Sequence, residues 1–144
     1  MTNAEEQRKI FWELYKKFLI NNGEPFYISE CKQWAIVNKN SPSWNNPCLA
    51  MDFLYGKKFL RINIYIRNDI ELYELLKRNK ENLDKGFYPQ KPEWIENNEG
   101  ENTRRIEIKL LFKSYDTEEY KKIIEDSAKY VLQFIKNYRQ YIEC

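Results

Sequence analysis

Between positions 59 and 67 the chain alternates without a break. Leu60, Ile62, Ile64 and Ile66 fall on one parity, and Phe59, Arg61, Asn63, Tyr65 and Arg67 on the other. Successive side chains on a strand point to opposite faces, so this segment predicts a strand with one apolar and one largely polar side. Such strands belong to antiparallel sheets that are covered on one face only. Upstream, Cys48 to Tyr55 is also strand-like, and Gly56-Lys57-Lys58 separates the two runs as a hairpin turn would. The remaining segments must then supply a cover for the isoleucine side.

Helical spacing supplies it. Ile10, Phe11, Leu14, Tyr15, Phe18 and Leu19 trace one apolar stripe, with Glu13, Lys16 and Lys17 opposite, and Asn21-Asn22-Gly23 ends it. Trp12 falls beside this stripe and is expected to pack against the stretch that follows. That stretch, 25–46, is punctuated by Pro25, Pro42 and Asn45-Asn46 and holds one short strand at 34–37; Trp34 and Trp44 read as core anchors or as the lining of a cleft. After the hairpin, Asn68 with Glu71 three residues on reads as a capping box. Ile70, Tyr73, Leu76, Lys80 and Leu83 continue as a helix that Gly86 stops. Pro89 and Pro92 lead into a short strand at 93–96, a polar turn spans 97–102, and Arg104 to Phe112 is a last strand with Ile106, Ile108, Leu110 and Phe112 on its apolar side. Asp116, with Glu119 three residues later, caps a long helix whose stripe runs from Tyr120 through Ile123, Ile124, Ser127, Val131, Phe134, Ile135 and Tyr138 to Ile142. The expectation is an α+β fold: one domain over 1–144, with a mainly antiparallel sheet of four to five strands and three helices packed largely on one face.

Composition narrows the chemistry. A chain of 144 residues, 16% of them aromatic, can bury a core without a metal or disulfide staple. Lys and Arg total 24 against 22 Asp and Glu, so charge recognition has to come from a local patch. There is no histidine, which removes the usual general base and the commonest metal ligand. The four glycines fall singly, and none builds a phosphate-cradling loop. Cys31, Cys48 and Cys144 are odd in number and widely spaced, as expected of reduced thiols in a cytoplasm. No signal-type or membrane-spanning apolar run is present, so neither a membrane nor a cofactor is expected.

Two constellations remain. Glu107-Ile108-Lys109 has the E-x-K spacing of metal-dependent nucleases, and with Asp52 it would offer a Mg²⁺ site. The same alternation also describes the solvent side of an amphipathic strand. The second constellation joins Arg61, Tyr65 and Arg67 on one strand to Arg105 and Lys109 on another, with Trp94 between them in sequence. Basic and aromatic groups interleaved on a sheet can hold phosphates and stack bases. They also make ordinary cross-strand pairs, and Tyr, Trp and Arg are equally at home in protein interfaces.

Taken in order, several of these pieces resemble a small bacterial and archaeal domain family, DUF4268. Arg8 followed by Phe11-Trp12 opens the match, and Leu60-Arg61-Ile62-Asn63-Ile64-Tyr65-Ile66 is its central strand. A helix with Leu75-Leu76 and Lys80, Trp94 on a strand, Arg105-Ile106, and a closing helix with aromatic residues complete it. The resemblance covers about 6–142. It implies a domain that stands alone or follows nuclease-like domains in DNA processing or defence, and it supplies no catalytic residues. The expected function is a non-catalytic binding or accessory module that engages nucleic acid, or a protein acting on it, through Arg61, Tyr65, Arg67, Trp94, Arg105 and Lys109. The alternatives are a Mg²⁺-dependent nuclease built on Asp52, Glu107 and Lys109, or a homodimeric interaction domain.

Overall fold

A computed structural model describes residues 3–41, 46–96 and 102–142. Pro42, Trp44, Asn45, Cys144 and the turn expected at 97–102, apart from Asn102, lie outside them. The elements run α1 (Asn3–Asn21), β1 (Ile28–Cys31), β2 (Trp34–Val37), β3 (Cys48–Leu54), β4 (Phe59–Arg67), α2 (Ile70–Arg78), α3 (Lys80–Leu83), β5 (Glu93–Glu96), β6 (Thr103–Leu111) and α4 (Thr117–Tyr138). The fold is α+β, as expected, with six strands among the described residues rather than four to five, and four helices rather than three. The extra strand is β1, whose Ile-Ser-Glu-Cys sequence has no alternation to reveal it. The extra helix arises because the expected helix over 70–83 breaks at Asn79. There the Asn79 Nδ2 donates to the Leu75 carbonyl at 3.1 Å, a local bond that competes with the helical ladder.

The six strands form one sheet in the order β1-β2-β3-β4-β6-β5, and every adjacent pair is antiparallel. The long β4 lies near the centre, paired with β3 on one side and β6 on the other. Its Leu60, Ile62, Ile64 and Ile66 are wholly buried. Helices α1 and α4 cross this side, where Phe11, Phe53 and Tyr120 meet with centroid separations between 4.4 and 5.5 Å. The Tyr120 hydroxyl donates to Gln7 and the Tyr15 hydroxyl meets Ser127 Oγ at 2.6 Å, so the two helices advance side by side in the same direction. Phe87 fills the space beside Phe134 at 4.8 Å. The turn before it needs Gly86: φ is 83°, and a Cβ there would lie 2.6 Å from the Gln133 side chain.

Several local expectations shift. The buried side of α1 is Phe11, Trp12, Tyr15 and Leu19, so Trp12 belongs to the stripe while Ile10 is exposed. Trp12 does reach the following stretch, donating to the Lys32 carbonyl at 3.3 Å. The cap of α2 is Asp69, which accepts from Leu72 N at 3.0 Å; Asn68 takes a left-handed φ of 51° at the end of β4 instead. Two cap-competent residues stand together here, and Asn tolerates the left-handed region more readily. Ile70, expected on the buried stripe, is exposed. Asp116 caps α4 as expected, but Glu119 does not close a capping box on it. Its carboxylate accepts instead from the backbone of Lys113 and Ser114 and from Ser114 Oγ at 2.8 Å, holding the loop that leads into the helix. No helix among the described residues is long and apolar enough to cross a membrane.

Candidate functional site

Strand register assigns the other face residue by residue. Across β4 and β6, Arg61 stands opposite Lys109, Asn63 opposite Glu107, Tyr65 opposite Arg105 and Arg67 opposite Thr103. Across β3 and β4, Asp52 stands opposite Arg61, Ala50 opposite Asn63 and Cys48 opposite Tyr65. Opposed residues point the same way, so all of these share the side away from the isoleucines. On β2, Trp34 and Ile36 pair with Asp52 and Ala50 and join them. The small apolar cluster here contains Ile36, Cys48 and Ala50 with Trp34 and Tyr65 packed on it, and no helical residue takes part. Burial and the nearby Asp52 carboxylate push the Cys48 thiol up to about 12, which keeps it protonated and inert.

Five of the six residues expected at a contact surface therefore come together: Arg61, Tyr65, Arg67, Arg105 and Lys109. Trp94 does not. It pairs with Ile106 and points to the helix side, where its indole N–H donates to Asp84 Oδ1 at 2.9 Å. Its ring meets Tyr73 edge-on at 6.0 Å, and the Lys80 ammonium lies 5.7 Å from its centroid. Parity explains the difference. Strand β5 is set by its pairing to β6, and that register was not visible in the isolated Glu-Trp-Ile-Glu stretch.

The cations on the face are not equivalent. Arg61 Nε donates to Asp52 Oδ2 at 3.0 Å, with both side chains largely enclosed. Lys109 Nζ lies 3.4 Å from Glu107 Oε2 and 5.1 Å from the Phe59 ring. At the other end the guanidinium of Arg105 sits 5.4 Å, and that of Arg67 6.0 Å, from the centroid of the Tyr65 ring. An aromatic face attracts cations, and both guanidinium groups stand beside the Tyr65 ring. Beside it, the Arg105 Nε and Thr103 Oγ1 are buried and lack hydrogen-bond partners.

The carboxylates do not assemble into a metal centre. Asp52 and Glu107 lie on strands separated by β4, roughly 10 Å apart at the usual strand spacing. Asp52 is engaged by Arg61 and by Asn63 Nδ2 at 3.3 Å. Among the described residues no three acidic or thiol side chains converge as metal ligands. The face presents an aromatic ring, cations held in place, and buried polar atoms without hydrogen-bond partners among the described residues. Thr103 was not anticipated from sequence; Asn63, placed by parity beside Arg61 and Tyr65, and Trp34, read as a core anchor or cleft lining, join this face once the register is known. Compared with known proteins, the chain matches no family model, no curated protein and no solved structure at a significant level.

Proposed function

We propose that this protein is a non-enzymatic binding module that engages single-stranded nucleic acid through the helix-free face of its sheet, in the DNA-processing or defence setting that its likeness to DUF4268 domains suggests. One observation carries the reading. Arg67 and Arg105 border Tyr65, and Arg61 and Lys109 stand farther along the same two strands, all on the side of the sheet that no described helix covers. Cations bordering a partly exposed ring can hold a phosphodiester backbone while a base stacks beside it. The Mg²⁺-nuclease reading lacks such support, because Asp52 and Glu107 each already contact a basic side chain on the same face.

Fluorescence anisotropy with labelled 15-mer single-stranded DNA, single-stranded RNA and duplex DNA, at 50 and 200 mM NaCl, tests the reading. Affinity should fall steeply with salt, and Arg67→Ala and Arg105→Ala should each lower the log–log salt slope by about one. Absence of binding at 50 mM NaCl, or binding that ignores salt, would sink it.

A further inference from the structure

At the middle of the helix-free face the hydrogen-bond accounting fails in one direction. The Asn63 side chain is almost wholly buried, and its Nδ2 donates toward β3, to the Ala50 carbonyl at 3.2 Å and to Asp52 Oδ2 at 3.3 Å. With the amide nitrogen committed to β3, its Oδ1 is turned away from that strand, and this oxygen has no donor. Directly across the ladder stands Glu107, whose side chain is 1% exposed and whose Oε2 likewise has no hydrogen bond; the Lys109 ammonium approaches it at 3.4 Å, and Glu93 of β5 is its partner on the far side. Side chains opposed in this way have Cβ atoms about 4.5–5.5 Å apart. Two buried acceptors therefore stand opposed across the ladder, and neither accepts a hydrogen bond from the described residues. Desolvated acceptors of this kind are unfavourable unless a donor reaches them.

We infer that Asn63 Oδ1 and Glu107 form a reading site for a nucleobase that carries an exocyclic amino group. The inference rests on the proposed nucleic-acid role of this face. An amino group brings two N–H bonds on one nitrogen, one for each acceptor, and it carries no acceptor lone pair toward them. Cytosine and adenine place a ring-nitrogen acceptor next to that amino group, and the donor side of the site is the unpartnered Nε of Arg105, two residues from Glu107 on the same strand face. Thymine and uracil present carbonyl oxygens at the corresponding edge, and these would face Asn63 Oδ1 and the Glu107 carboxylate acceptor to acceptor. Entry requires the Lys109 side chain to lift away. It is 44% exposed and its contact with Glu107 lacks hydrogen-bond geometry, so a base amino group can replace it. The freed ammonium then meets the phosphate that accompanies the base.

The test compares dC12, dA12 and dT12, with C12 and U12 as RNA counterparts, against the wild-type protein and Glu107→Gln at 100 mM NaCl. The wild type should bind dC12, dA12 and C12 about tenfold or more tightly than dT12 and U12, the discrimination expected of a paired base contact. In Glu107→Gln, whose amide supplies a donor where the carboxylate accepted, the ratio should collapse to within about twofold. Equal affinities for all oligonucleotides in the wild type, a preference for dT12, or a preference that survives Glu107→Gln would each overturn the base-reading site while leaving backbone binding intact. Failure to bind any oligonucleotide would overturn both this inference and the binding function beneath it. The wild-type series stands alone should the variant not fold.

Discussion

Replacing Trp94 by Phe should separate stability from recognition. The indole N–H donates to the Asp84 carboxylate at 2.9 Å, and Asp84 is itself nearly buried. A hydrogen bond to a charged acceptor contributes about 1.5–3 kcal/mol. Phe would keep most of the ring's edge-on contact with Tyr73, and Asp84 would keep the Lys80 ammonium at 2.9 Å. Both facts hold the loss near the lower part of that range, about 2 kcal/mol. For a domain of this size that corresponds to a melting temperature lower by about 4–8 °C. Because Trp94 lies on the helix side of β5, affinity for dC12 should stay within about twofold of the wild type. Thermal unfolding followed by circular dichroism, with anisotropy on the same sample, measures both quantities. A variant that melts normally but binds more than fivefold weaker would refute the placement of Trp94 and return it to the contact face.

Two further outcomes concern the scaffold. Ser127 Oγ donates to the Ile124 carbonyl at 2.9 Å, so the Tyr15 hydroxyl is the donor in their 2.6 Å bond, and both side chains are fully buried. Tyr15→Phe and Ser127→Ala should each destabilise by about 1–3 kcal/mol in urea titrations, and the double variant by at least about 0.5 kcal/mol less than their sum; strict additivity would show the pair to be uncoupled. The Glu119 carboxyl is held below the usual glutamate range, chiefly by the Lys113 backbone N–H and then by the Ser114 hydroxyl. A depressed carboxylate contributes stability above its unfolded pKa and loses it as pH falls through the folded one. The melting-temperature gap between wild type and Glu119→Gln should therefore be constant from pH 8 to about 5, then close on acidification; a gap that widens at low pH would contradict the assignment.

The strands of the hairpin were legible because alternation over Phe59–Arg67 is a local property. Parity alone decides which side chains share a face within one strand. The C-terminal end of α1 and the start of α4 were legible for the same reason, since Gly23 and Asp116 act on their own backbone neighbourhood; α4 ends at Tyr138, short of the Ile142 to which its apolar stripe was read. Choices between adjacent candidates were not. Asn68 and Asp69 are both competent caps, and the departure of the chain from β4 decided between them. Glu119 had a local partner in prospect and found better ones in the loop before the helix.

The sequence by itself determined that Arg61, Asn63, Tyr65 and Arg67 share one side of a strand and that Arg105, Glu107 and Lys109 share one side of another. Only the tertiary structure decided that those two sides are the same face, that Trp94 is excluded from it, and that Asn63 and Glu107 stand opposed, each with a buried oxygen that accepts no hydrogen bond. Side-chain direction repeats every two residues and is written into the chain. Register between strands is set by pairing with residues outside the strand itself and by the core beneath them, and no pattern within one strand encodes it.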